Sequence, residues 1–164
     1  MNRYIAFLRG VNISGKNKVP MAQLKTGLEE LGLVEVKTYL NSGNVLFSSS
    51  RDDTGALTGQ IERMIKEKFG WDIPVFLILK RELEDILQNA PAWWGTGGKE
   101  QYDNLIFIMP PAVFAQVLNE IGAPRGAWNR SRTIKMRSSG PSAGRTIKRP
   151  SGGPRRPVRP LAEN

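Results

Sequence analysis

The stretch VKTYLNSGNVLFS, residues 36–48, contains two β-rich runs on either side of Asn41, Ser42 and Gly43. A link of this length, made of residues that favour turns, is typical of a β-hairpin. We therefore predict two antiparallel strands, VKTYL and NVLFS, joined by a tight turn in the first half of the chain.

A strand and a helix are predicted before this hairpin. The β-rich run RYIAFLR at residues 3–9 predicts a strand. Apolar residues then recur at helical spacing between Pro20, which suits the first turn of a helix, and Gly32, which suits a helix end. This side of the hairpin therefore has the order strand, helix.

A helix and a strand are predicted after the hairpin, in the reverse order. Asp52 or Asp53 can cap a helix that ends at Gly70, and VFLIL after Pro74 predicts a strand. The complete order is β-α-β-β-α-β. It predicts an α+β protein with the ferredoxin-like fold, a sandwich in which two helices cover one face of a four-stranded antiparallel sheet.

The rest of the chain predicts an incomplete second copy of this unit. We expect the ferredoxin-like domain at residues 1–90 and a Pro/Gly/Trp-rich linker at residues 91–104. Residues 105–124 predict a strand and a helix that begin a truncated second ferredoxin-like half. Apolar periodicity is then lost, so residues 125–164 are predicted to be a disordered basic tail.

The composition excludes several classes of active site. The chain contains no Cys and no His, which excludes disulfides, thiolate or His-ligated metal sites, and Ser-His-Asp or Cys-His catalysis. We expect no metal and no cofactor. The N-terminus lacks the apolar core of a signal peptide, and no apolar run reaches the roughly 18 residues of a membrane span. These features predict a soluble, cytoplasmic protein without a membrane partner, and they leave its oligomeric state open.

The positive charge is concentrated at the C-terminus. The net charge is +9, but residues 125–164 hold 11 Lys and Arg with one acid, whereas residues 1–124 hold 13 Lys and Arg with 14 acids. We therefore expect nucleic acid to bind only non-specifically, through the tail.

The residues RYIAFLRGVNISGKNKVPMAQL, LEELGL, VKTYLNSGNVLF and IPVFLIL, in this order, resemble DUF family 1697, a set of bacterial proteins without an established activity. The resemblance covers residues 1 to about 124 and departs at Gly126. It implies a complete second ferredoxin-like half in related chains, where this chain has the basic tail.

A shift of reading frame explains this departure. Reading the tail's possible codons one base back permits a sequence with restored apolar and aromatic content that resembles the C-terminal half of the family. The alternative is a genuine basic arm that binds phosphates. The nucleotide sequence separates these two interpretations.

The loop after the first strand is the leading candidate site. Its sequence GVNISGKN matches the G-x-x-x-x-G-K pattern of Walker phosphate-binding loops. Two departures disfavour an NTPase: Asn replaces the Ser or Thr that holds Mg²⁺, and the helix is predicted to begin several residues after the Lys. Two interpretations of the loop remain: a simpler site that binds an anion, and a solvated turn that binds no ligand. The candidate ligand-binding residues are Arg9, Asn12, Lys16, Asn17 and Lys18.

The predicted hairpin carries a second polar cluster, formed by Tyr39, Ser42 and Asn44 beside Asn41. It can bind a ligand or a partner strand, although turn formation explains the same residues. We expect this cluster at the end of the sheet opposite the first loop, and therefore treat the two as separate sites.

Three functions are compatible with these residues. The leading hypothesis is binding of a phosphate- or carboxylate-bearing small ligand at the loop after the first strand. The first alternative is a nucleic-acid-binding module, since exposed aromatic rings on a sheet of this kind can stack on bases. The second is an enzyme that acts on a small anionic substrate through Arg9 and Lys16.

Overall fold

A computed structural model of the chain describes residues 1–96, 102–121, 132–135 and 145–151. The chain divides into two compact units: the first is formed by Met1–Asn89, and the second begins at Ala90. Both contain helix and antiparallel sheet, so the predicted α+β class is confirmed.

The first unit has four strands and three helices. The strands form an antiparallel sheet in the order β2-β3-β1-β4. Chain order and bounds are β1 (Asn2–Leu8), α1 (Met21–Glu30), β2 (Val34–Tyr39), β3 (Asn44–Ser49), α2 (Thr54–Phe69), β4 (Val75–Leu79) and α3 (Lys80–Gln88).

Local chemistry sets the limits of α2. The Asp53 side chain accepts a hydrogen bond of 2.9 Å from the backbone N–H of Ala56, which satisfies one of the free donors at the helix start. At the other end, Gly70 has a φ of +77° and its N–H donates to the Lys66 carbonyl at 2.8 Å. Of the two predicted caps, Asp53 is therefore the one used.

The core of the first unit follows from strand alternation. Alternate residues of β1 are buried, and so are the apolar faces of α1 and α2, in one continuous cluster. The Tyr4 ring lies in this cluster, stacked on Phe47 at 5.5 Å, and its hydroxyl donates to the Arg51 carbonyl at 2.8 Å. Other members of the cluster include Ala6, Leu8, Leu24, Leu28, Val45, Leu57, Ile61 and Ile65.

The hairpin turn lies against the C-terminal end of β1. The register pairs Phe7 with Asn44, and the Leu8 N–H donates to the Gly43 carbonyl at 2.9 Å. Gly43 has a φ of +76°, and a Cβ at this position would lie 2.7 Å from Cβ of Leu8 and 2.5 Å from a methyl carbon of Val11. Only glycine fits this contact.

We expect Gly43→Ala to lower the free energy of unfolding by about 2–4 kcal/mol, because left-handed strain and overpacking add. Denaturant unfolding measures the change. Gly32→Ala is the matched control, since Gly32 has a φ of +79° with no atom near its missing Cβ, and it should cost about 1 kcal/mol. Equal losses in the two variants would show that the close approach at Gly43 is unimportant.

The opposite end of the sheet carries an ionic cluster. Glu35, at a bulge in β2, accepts hydrogen bonds from the Ser48 hydroxyl at 2.6 Å and from the Arg3 guanidinium at 3.2 Å. The hydrogen bond from Ser48, and then the charge of Arg3, lower the pKa of Glu35 below its ordinary value of 4.5. The ionised form therefore stabilises the fold above pH 4.5, and this contribution is lost as the pH falls through the lowered pKa.

We expect Ser48→Ala to raise the pKa of Glu35 toward 4.5, because it removes the largest cause of the shift. An NMR titration of the Glu35 carboxyl carbon measures this directly. Ser50→Ala, at an exposed serine two residues away, is the control and should leave the titration unchanged. An unchanged pKa in Ser48→Ala would contradict the assigned cause.

The second unit also contains a three-stranded antiparallel sheet. Its strands have the order β5-β7-β6 and are accompanied by one described helix. The bounds are β5 (Tyr102–Phe107), α4 (Phe114–Ile121), β6 (Arg132–Lys135) and β7 (Arg145–Ser151). Thus β5 begins within the range 91–104 that we expected to be a linker.

Strands β6 and β7 lie within residues 125–164, which we expected to be a disordered tail. Both contain the sequence Arg-Thr-Ile-Lys, and the register pairs Thr133 with Ile147 and Ile134 with Thr146. Adjacent β-branched residues favour strand backbone even where the surrounding composition is polar. Composition averaged over 40 residues concealed these two short runs. The other tail residues lie outside the described ranges.

Candidate functional site

The loop between β1 and α1 is folded as a miniature hairpin. Ile13 and Lys16 form an antiparallel bridge, with the Lys16 N–H donating to the Ile13 carbonyl at 2.9 Å. Between them, Ser14 and Gly15 have φ values of +48° and +76°. Positive φ at both central residues is characteristic of a type I′ turn.

Asn12 joins this loop to the β2–β3 turn. Its side-chain oxygen accepts from the Val19 N–H at 2.9 Å, and its amide nitrogen donates to the Val19 carbonyl at 3.0 Å and to the Asn41 carbonyl at 2.9 Å. Both amide hydrogens are therefore used. The Asn12 side chain therefore has a structural role, and its amide hydrogens are not free to bind a ligand.

This contact shows that the expectation of two separate sites was wrong. The β1 to α1 to β2 crossover makes β1 and β2 run in the same direction, with the antiparallel β3 between them. The segments that follow β1 and β2 therefore emerge at the same end of the sheet. The structure brings the two predicted clusters together into one surface, formed by residues 9–19 and 37–44, which we call the tip surface.

Asn17 also holds the backbone of the loop. Its side-chain nitrogen donates to the Gly10 carbonyl at 3.0 Å, and its backbone carbonyl accepts from the backbone N–H of Asn12 at 3.1 Å. Asn12 and Asn17 have φ values of +55° and +48°, a conformation that asparagine tolerates better than most residues. The asparagines predicted to bind a ligand therefore shape the site.

The cations of the loop remain open to a ligand. Arg9, Lys16 and Lys18 are exposed, and no carboxylate of the described residues lies within 4.0 Å of their charged groups. Residues 9–19 and 37–44 contain no acid at all. Lys37, an exposed residue of β2 that sequence reasoning missed, adds a fourth cation to the tip surface.

The hairpin residues of the second predicted cluster have two roles. The Asn44 side chain donates to the Ser42 hydroxyl at 2.7 Å, a bond within the turn. Tyr39 instead has 63% of its surface exposed at the end of β2. The turn explains Ser42 and Asn44, whereas the exposed tyrosine ring is available to a partner.

Three apolar side chains also project from the tip surface. Ile13, Tyr39 and Leu40 are 60%, 63% and 68% exposed, and among the described residues only Met1 is a more exposed large apolar side chain. Sequence reasoning missed Ile13 and Leu40, since apolar residues beside a strand are usually core. The turn residues on either side were the available signal.

The loop does not form a Walker-type phosphate cradle. Helix α1 begins at Met21, five residues after Lys16, and the N–H groups of Asn12 and Lys16 donate to carbonyls of the loop itself. In the part of the chain that the structure describes, no three His, Cys, Asp or Glu side chains are grouped to hold a metal. No described helix is long and apolar enough to cross a membrane.

The sequence pattern of one protein family, described as protein of unknown function (DUF1697), matches residues 1–136. The chain belongs to this family. Among solved structures, a conserved bacterial protein from Streptococcus pneumoniae has a TM-score of 0.70 and 27% sequence identity, covering 90% of this chain and 76% of its own. No curated protein matches the sequence of this DUF1697 member.

The match extends beyond the expected point of departure. We placed the departure from DUF1697 at Gly126, whereas the family pattern continues to residue 136. The reading-frame hypothesis concerns residues 126–164, most of which lie outside the described ranges. It stays a prediction that the nucleotide sequence tests.

We expect Asn12→Asp to lower the free energy of unfolding by about 1–3 kcal/mol, because it places a carboxylate against two carbonyls and leaves their hydrogen bonds unmade. Aspartate tolerates left-handed backbone nearly as well as asparagine, so the change isolates the amide. Denaturant unfolding provides the measurement. Asn44→Asp is the control, since that side chain bonds only within its exposed turn, and it should change stability little.

Proposed function

We propose that the tip surface binds a phosphate- or carboxylate-bearing ligand. One observation carries the proposal: Arg9, Lys16 and Lys18 are exposed on one loop without a carboxylate partner among the described residues. On the described helices the exposed lysines are paired with carboxylates, as Lys66 is with Asp72 at 2.8 Å. The other exposed arginines of the first unit without such a partner, Arg51, Arg63 and Arg81, lie on separate elements. An anion binding at the loop therefore displaces no existing ion pair.

Rigidity of the loop supports the same proposal. The type I′ turn and the side chains of Asn12 and Asn17 fix the backbone that carries the cations. A preformed loop loses less conformational freedom when it binds than a mobile one does. The two asparagines thus contribute to binding through the geometry of the loop.

We also propose that the first unit is a ferredoxin-like domain and the second an incomplete copy of it. The sheet order β2-β3-β1-β4 with its two helical crossovers supports the first part. For the second part, the chain order β5-α4-β6-β7 repeats the chain order β1-α1-β2-β3. The order of strands in the sheet also agrees, since β5-β7-β6 corresponds to β1-β3-β2. The second unit then lacks the equivalents of α2 and β4 among its described residues.

A nucleic-acid-binding module is the second candidate. The exposed ring of Tyr39, on the same tip surface as the cations, favours it, because single strands bind through base stacking together with phosphate contacts. An enzyme acting on a small anionic substrate stays a prediction from sequence. No carboxylate of the described residues lies within 4.0 Å of the charged groups of Arg9 or Lys16.

We expect Lys16→Ala and Arg9→Ala each to weaken the binding of pyrophosphate by about two- to fivefold, the effect of removing one exposed ion pair. Chemical-shift titration gives the affinities. Lys66→Ala, which removes an equal charge from α2, should leave the affinity unchanged.

Unchanged affinity in both loop variants would show that the loop is only a turn. A metabolite screen by thermal stability extends the test to natural ligands, because a ligand at 100 times its Kd stabilises a fold by about 2.7 kcal/mol. At the same ligand concentration, hits should stabilise Lys16→Ala by about 0.4–1 kcal/mol less than the unchanged chain, which corresponds to the two- to fivefold weaker binding.

A further inference from the structure

Apolar exposure in the first unit is concentrated at the tip surface. Ile13, Tyr39 and Leu40 are there. Apart from these three and Met1, which is 87% exposed, the most exposed large apolar residue of this unit is Leu87 on α3, at 45%. The bond from Asn12, which precedes Ile13, to Asn41, which follows Leu40, holds the two turns together. Clustered exposed apolar side chains mark an interaction surface.

Leu40 is the residue least explained by folding. Its φ of +55° is unfavourable for a bulky side chain, and the position is one at which asparagine or glycine forms a better turn. The side chain is 68% exposed, so burial does not offset this cost. A leucine here therefore points to a contact with something outside the chain.

The charges around these side chains define the chemistry of the partner. Arg9, Lys16 and Lys18 lie on the tip surface together with Lys37, whose charge also acts on Glu35, and residues 9–19 and 37–44 contain no acid. Lysines on the helices are instead paired with carboxylates, for example Lys25 with Glu29 and Lys80 with Glu84. The partner must be both anionic and able to accept aliphatic groups.

We infer that the tip surface docks on an anionic lipid bilayer, with the headgroup phosphates as the anions of the proposed function, on which this inference rests. Ile13 and Leu40 would enter the acyl boundary while the four cations contact headgroups. A nucleic acid would use the cations and the Tyr39 ring but neither aliphatic side chain. The inference departs from the sequence-based expectation of no membrane partner, because the exposure of Ile13 and Leu40 appears only in the structure.

The full chain is tested by co-sedimentation with vesicles of phosphatidylcholine, alone or mixed with phosphatidylglycerol. We expect binding only to the mixed vesicles. Leu40→Asn should weaken it about tenfold, the effect of losing one buried leucine, and Ile13→Asn similarly. Asparagine suits the left-handed backbone at position 40, so loss of binding in this variant is not a folding defect.

Leu87→Asn is the matched control, since it removes an exposed leucine from α3, and it should bind like the unchanged chain. Lys16→Ala should reduce partitioning about fivefold. All variants keep the basic tail, so any binding due to the tail is common to them.

Equal vesicle binding by Leu40→Asn, Ile13→Asn and the unchanged chain would overturn the inference and assign binding to charge alone. Absence of vesicle binding, with pyrophosphate still bound in a Lys16-dependent manner, would overturn it while leaving the proposed function standing. Binding of a thymidine oligonucleotide that is lost in Tyr39→Ala but not in Leu40→Asn would favour the nucleic-acid module instead. Equal affinity of Lys16→Ala and the unchanged chain for pyrophosphate would overturn the proposed function itself.

Discussion

The side-chain amide of Asn12 is the interaction on which the tip surface depends. It accepts a hydrogen bond from the Val19 N–H and donates one to the Val19 carbonyl, and its second amide hydrogen is donated to the Asn41 carbonyl. One side chain thus positions the start of the α1 segment and the hairpin turn against the same strand end. Without it, a cationic loop and an apolar turn would be neighbours in topology but would not share a fixed geometry.

Gly43 permits the contact that Asn12 secures. Because it has no side chain, the turn approaches Leu8 and Val11 closely enough for the Leu8 N–H to donate to the Gly43 carbonyl. Alternate residues of β1 and β3, the two central strands of the sheet, lie in the buried cluster, so the turn is fixed to the core of the unit. The packing of the core therefore restrains the tip surface.

Local chemistry predicted much of this fold. The cap at Asp53, the helix end at Gly70 and the turn at Asn41–Gly43 each depend on a few adjacent residues, and each lies where the sequence places it. Strands β6 and β7 were missed because two β-branched residues in a polar tail are a weak signal. The relation between the loop and the hairpin was also misjudged, although it follows from strand direction: a helical crossover leaves β1 and β2 parallel. Exposure of Leu40 was missed because an apolar residue beside a strand is usually core, although the turn residues next to it were a signal, and its left-handed backbone is one that leucine rarely adopts.

The left-handed backbone at Leu40 also has an evolutionary consequence. A chain under no selection to present an apolar group there becomes more stable by replacing leucine with asparagine or glycine, a change that leaves every described hydrogen bond of the turn in place. Drift therefore runs against leucine at this position. Its presence or loss across DUF1697 proteins is a natural record of whether the tip surface is in use in each lineage.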